Sequence, residues 1–133
     1  MKKNGILNGD ISSVLGYMRH TDIITIVDCG FPIPDGVKCI DLSVRFGLPS
    51  FLDVLEEICL DLEIEKVRFA NEIKNLNPGT LDKAVKILSG QDIEFIPHTE
   101  FKELSAKSKA IIRTGEATPY ANVILQSGCT FKV

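Results

Sequence analysis

The chain has 133 residues, 44% of them hydrophobic and 25% charged, with a formal net charge of −3. This fits one domain that can bury its own core, and the acidic balance argues against nucleic acid, whose phosphates require a basic surface. No apolar run approaches the roughly 18 to 20 residues of a membrane span, and "MKKNGILNGD" lacks the apolar stretch of a secretory signal.

In "DISSVLGYMRH", Ile11, Val14, Leu15 and Met18 recur at helical spacing, which predicts an amphipathic helix with Asn8 or Asp10 as its cap. "IITIVD" is apolar at nearly every position, as in a strand covered on both faces. "GFPIPDG" reads as a turn segment, and "CIDLSV" as a second short strand. In "SFLDVLEEICLDLEI" the pair Ser50 and Asp53 has capping-box spacing, and Phe51, Leu55, Ile58 and Leu62 share one face. The rest reads as "KVRFAN" strand, "TLDKAVKIL" helix, "IEFI" strand, "TEFKELSAKS" helix, "AIIRTG" strand and "ANVILQSG" strand.

Strands alternating with helices predict an α/β layered fold, a single domain over residues 1–133 with a largely parallel central sheet flanked by helices. The short "GEATPY" connection suggests that the last two strands pair antiparallel or diverge at an edge. Cys29, Cys39, Cys59 and Cys129 show no CxxC spacing and are expected to be reduced thiols in a cytoplasmic protein. The acidic run "DVLEEICLDLEIE" is the solvated face of its helix.

Ligands of open α/β sheets lie beyond the carboxyl ends of the strands. Asp28 and His98 occupy such ends. If residues 120–122 are extended, Tyr120 and Asn122 project to one face, and both can donate and accept hydrogen bonds. Each candidate also has a structural reading. Asp28 could be a turn or cap acceptor, His20 a favourable charge at a helix C-terminus, and Tyr120 and Asn122 turn residues beside Pro119. The glycines form neither GxGxxG nor a P-loop. These patterns reach as far as an α/β domain with a possible small-molecule site.

"MKKNGILNGDISSVL", "HTDIITIVDCGFPIPDG", "IDLS", "GLPSF", "EIK", "EFK" and "AIIRTGEATPYANVILQSG" resemble, in order and spacing, the sugar mutarotase family of D-ribose pyranases and L-fucose mutarotases. The resemblance runs from residue 1 to about residue 131, and "HTD" with "D.G.P.PDG" and "RTGE.TPYAN" carry its specificity. It implies a cofactor-free isomerase, without a metal, that interconverts the pyranose and furanose forms of D-ribose. It also implies a cytoplasmic homodecamer of two stacked pentameric rings, with sites between subunits. By motif position, His20 matches the family's proton donor. Asp28, His98 and Tyr120 to Asn122 match its sugar-binding residues, and Lys102 falls at a further matching position.

The chemistry suits these side chains. Ring opening delivers one proton to the ring oxygen and removes another from the anomeric hydroxyl, and histidine, with an ordinary pKa of about 6.5, serves both directions. Geometry adds a constraint: residues 22–28 as a strand span about 20 Å at roughly 3.3 Å each. His20 and Asp28 of one chain are therefore expected at opposite sheet ends. Both reach one site only if a neighbouring subunit supplies one of them or the chain around His20 folds back; the ring-shaped oligomer that the resemblance implies favours the shared site.

Arg19, Cys29 and Phe31 depart from the ribose-type pattern, and Phe31 resembles the fucose branch, which keeps L-fucose or another monosaccharide as the alternative substrate. A hydrolase metal set of His20, His98 and Asp28 is a rival. A sugar-binding assembly subunit without turnover is another.

Overall fold

The computed structural model describes residues 1–132. Helix α1 (Gly9–Tyr17) begins where the Asn8 side chain accepts the Ile11 N–H at 2.9 Å. It stops at Tyr17, short of the expected end, because Met18 turns extended. Thr21, at φ 71°, then swings the chain into strand β1 (Ile23–Val27). His20 therefore sits in this turn and not on a helix end, so its reading as a helix-terminal charge is corrected.

Strand β2 (Cys39–Asp41) precedes helix α2 (Phe51–Asp61), where the Ser50 hydroxyl accepts the Asp53 N–H at 3.1 Å. Strand β3 (Ile64–Ala70) leads into a short helix α3 (Ile73–Leu76) that the sequence patterns did not signal. Helix α4 (Pro78–Leu88), strand β4 (Asp92–Ile96), helix α5 (His98–Ser105), strand β5 (Ile111–Arg113) and strand β6 (Val123–Ser127) complete the chain.

The six strands form one sheet in the order β2-β5-β1-β6-β3-β4. Strand β5 is parallel to β1 and β2, and β3 is parallel to β4, whereas β6 runs antiparallel to both β1 and β3. Five strands therefore point one way, and their carboxyl ends share one edge with the start of β6. This is the largely parallel α/β architecture expected from the sequence.

The expectation for the last two strands is corrected. β5 and β6 neither pair nor diverge at an edge, because β1 lies between them. Val123, Ile124 and Leu125 are fully buried, and such a strand belongs at the centre of a sheet covered on both faces. Their connection crosses the carboxyl end of β1 and places residues 114–122 there.

Alternate positions of β1 face different cores. Ile24 and Ile26 join Phe51, Leu55 and Ile58 of α2 and Ala84 and Leu88 of α4. Ile23 and Val27 join Phe31 and Phe101 on the opposite side, beneath α5. The polar Thr25 is buried there without penalty, because its hydroxyl lies 2.7 Å from that of Ser108.

Candidate active site

Asp28 follows β1 directly, and its Oδ1 accepts the Gly30 N–H at 2.9 Å. The turn-acceptor reading is therefore correct as far as it goes. The backbone N–H of Asp28 donates to Asn122 Oδ1 at 2.8 Å. Burial pushes the Asp28 carboxyl above the ordinary aspartate range. The Gly30 N–H, the Asn122 amide and the nearby His98 act against that shift.

His98 opens α5, and its backbone N–H donates to both Glu72 carboxylate oxygens, at 3.0 and 3.3 Å. Its ring stacks on Phe101 at 6.2 Å between centroids, and meets the edges of Phe31 at 6.0 Å and Tyr120 at 5.0 Å. Burial lowers the His98 pKa, and Lys102 lowers it further, against the opposing pull of Glu72 and Asp28. The net shift favours the neutral imidazole, and its Nδ1 is buried with no hydrogen-bond partner among the described residues. A buried ring nitrogen without a partner is unusual, and His98 itself borders a cleft shared with Asp28.

The extended geometry expected for residues 120–122 is corrected. Tyr120 has φ 56°, and the Asn122 N–H bonds back to the Tyr120 carbonyl at 2.8 Å, so the segment is a tight turn. Tyr120 and Asn122 nevertheless border the same cleft, of about 340 Å³, together with Asp28, His98 and Phe31. A positive φ at a bulky residue is uncommon and persists only where its surroundings impose it.

Those surroundings are visible. Asn77 donates to Thr118 Oγ1 and to the Pro119 carbonyl, both at 2.9 Å. Glu116 accepts the Phe51 N–H at 3.0 Å and the Thr118 hydroxyl at 2.9 Å, while its carbonyl accepts the Cys29 N–H at 2.8 Å. Gly115 passes so close to the residue 45–48 turn that an added Cβ would lie 2.3 Å from the Leu48 carbonyl oxygen. Of these supports, Glu116 and Gly115 stand inside the quoted "RTGE" motif. Glu72 stands inside the quoted "EIK" segment without a role assigned to it, and nothing in the spacing pointed to Asn77; both roles depend on tertiary placement. Phe31 registered only as a departure, and the structure makes it a wall of the cleft.

His20 is elsewhere. It lies before β1, at the far end of the strand, where its Nε2 is 2.8 Å from Glu65 Oε2 and its side chain is 56% exposed. It borders a separate cleft of about 460 Å³ with Met18, Arg19, Glu63 and Gly128. Within one chain, Asp28, His98, Tyr120 and Asn122 come together and His20 does not join them. Lys102 lies one turn into α5 from His98 and acts on it through its charge.

The RbsD / FucU transport protein family model matches residues 1–130. The chain belongs to the RbsD/FucU family. Among curated relatives, a D-ribose pyranase of Laribacter hongkongensis is 54% identical over 131 residues, covering 98% of this chain and all of that one. The solved structure of Bacillus subtilis RbsD complexed with D-ribose superposes with a TM-score of 0.96 at 48% identity, covering 98% of this chain and 100% of that one. A fucose mutarotase of Streptococcus pneumoniae in complex with L-fucose superposes with a TM-score of 0.81 at 25% identity, covering 94% and 95% of the two chains. The α/β architecture of this RbsD/FucU member is thus shared with sugar-bound relatives on both branches.

Proposed function

We propose that this RbsD/FucU member is a D-ribose pyranase, an isomerase that interconverts the six- and five-membered ring forms of D-ribose without a cofactor. One observation carries the reading. Asp28, His98, Tyr120 and Asn122, distant in sequence, converge on one cleft at the carboxyl edge of the sheet. The D-ribose pyranases among its relatives support the same reaction.

In the forward direction His20 gives a proton to the ring oxygen O5 as the C1–O5 bond breaks, and the anomeric O1–H loses one, leaving an aldehyde and a free C5 hydroxyl. Rotation presents the C4 hydroxyl. Its oxygen attacks C1, its proton leaves and the carbonyl oxygen is protonated, so no proton is gained or lost overall. Asp28 accepts sugar hydroxyl protons as hydrogen bonds, Asn122 and Tyr120 read further hydroxyls, and His98 contributes a further polar contact from the same cleft. Neither a nucleophile nor a metal is required.

His20 reaches the sugar from a neighbouring subunit, because β1 separates it from Asp28 within one chain. A closed homo-oligomer, two stacked pentameric rings in the cytoplasm, provides such shared sites. The second reading is an L-fucose mutarotase, favoured by Phe31, whose ring faces His98 edge-on.

The test is NMR saturation transfer between ribose ring forms, with fucose in parallel. Enhanced exchange of ribose over fucose is expected. Enhancement of fucose alone would select the second reading, and ribose binding without enhanced exchange would mark a non-catalytic binding subunit.

A further inference from the structure

At the amino end of β1, a chain of hydrogen bonds fixes the proton of His20. Glu65 on β3 receives two contacts: His20 Nε2 lies 2.8 Å from Oε2, and Gln126 Nε2–H donates to Oε1 at 2.7 Å. Gln126 is itself oriented, because its Oε1 accepts the Arg68 guanidinium at 3.0 Å. Arg68 also lies 3.6 Å from the Glu94 carboxylate, which Lys66 meets at 2.6 Å.

Each link has one possible direction. A guanidinium only donates, so the oxygen of Gln126 faces Arg68 and its NH₂ faces Glu65. An ionised carboxylate only accepts, so the imidazole nitrogen facing it must carry a hydrogen. The Gln126 amide and, after it, His20 hold the Glu65 carboxyl below the ordinary glutamate range, consistent with an ionised acceptor. The remaining charged groups bordering the His20 cleft are Arg19, Asp61 and Glu63.

We propose that Glu65 is the positioning residue of His20, holding Nε2–H so that Nδ1 is the nitrogen that exchanges the proton with the sugar. Gln126 and Arg68 keep the carboxylate in register. A histidine that alternates between donor and acceptor needs its second nitrogen committed elsewhere, otherwise tautomers and ring orientations compete for the reacting position. The proposal rests on His20 being the proton donor of the reading above.

The test compares Glu65→Gln, Glu65→Asp and His20→Ala by saturation transfer across a range of ribose concentrations. Long-range ¹H–¹⁵N NMR of the same proteins reads the imidazole tautomer. In Glu65→Gln, the fixed NH₂ of Gln126 draws the new amide oxygen, turning the new NH₂ toward His20. Nε2 then becomes an acceptor and the tautomer changes from Nε2–H to Nδ1–H.

The expected kinetic result is a kcat reduced by about tenfold or more with KM within about twofold, within the range of a misplaced acid–base group. Glu65→Asp, which keeps the carboxylate, is expected to retain the Nε2–H tautomer and recover part of kcat. If His20→Ala abolishes exchange while Glu65→Gln keeps either the wild-type tautomer or the wild-type kcat, the positioning role is overturned and the donor reading stands. If His20→Ala leaves exchange intact, both are overturned.

Discussion

Asp28 and Asn122 are bound to each other across 94 positions of sequence: the Asp28 N–H donates to Asn122 Oδ1 at 2.8 Å, and the same amide favours the charged form of the Asp28 carboxyl. Asn122 is 1% exposed, so the amide serves the fold as well as the cleft. Asn122→Ala leaves the Asp28 N–H unpaired, and a loss of about 1–3 kcal/mol is expected in urea denaturation. Ribose affinity, measured by titration calorimetry, is expected to fall with it.

Two opposite shifts set the response to pH. The His98 pKa is lowered by burial, so below about pH 6.5 the unfolded chain takes up a proton that the folded chain resists, and stability falls as pH falls. The Asp28 pKa is raised, so its contribution is fully present below the ordinary aspartate pKa and is lost as pH rises through the folded value. Between about pH 7 and pH 5.5 the His98 effect is expected to dominate, because the Asp28 shift starts from a far more acidic pKa. Urea midpoints over that interval should therefore decline in the wild type and decline less in His98→Gln. An equal decline in both proteins would remove His98 as the cause.

The Tyr120 ring packs edge-on to His98, and its hydroxyl has no hydrogen-bond partner among the described residues, which leaves it available for the proposed sugar contact. Tyr120→Phe keeps the packing, so thermal stability is expected within about 0.5 kcal/mol of wild type. The KM for ribose is expected to rise roughly three- to tenfold, the equivalent of one hydrogen bond. Unchanged KM would exclude the hydroxyl from sugar recognition.

Gly115 has no room for a side chain. In Gly115→Ala the new Cβ would stand 2.3 Å from the Leu48 carbonyl oxygen and 2.5 Å from that of Arg45, and backbone must move to relieve it. A loss of about 1–3 kcal/mol is expected from overpacking of this kind. Exchange activity should also drop, since Gly115 leads into the segment that carries Tyr120 and Asn122. Chemical denaturation and saturation transfer on the same sample test both.

Much of this was legible in the sequence because local patterns report periodicity and capping. The buried run of β1, the Ser50 cap of α2 and the helix–strand alternation each follow from side-chain spacing alone. Strand order was not legible. Only the apolar continuity of Val123 to Leu125 hints that β6 is central, and the short loop before it suggested a hairpin instead. Asp28 and His98 were readable as strand-end residues. Tyr120 and Asn122 were reached through a wrong premise, since long-range bonds from Asn77 and Glu116 impose a turn that local propensity does not favour. The acidic run places Glu65 on a solvated helix face, a reading corrected by the end of α2 at Asp61 and the start of β3 at Ile64. An exposed strand glutamate becomes informative only when its partner is known.

The central claim is that β1 carries, at its two ends, groups serving two different sites. Co-expression of His20→Ala and Asp28→Asn subunits tests it directly, with saturation transfer on ribose as the readout. Each variant alone is expected to be inactive. In mixed oligomers, random neighbours should restore activity to about a quarter of wild type, since half the sites carry Asp28 and half of those meet an intact His20. No recovery in mixed oligomers of the same size would contradict it, placing both residues in one subunit's own site.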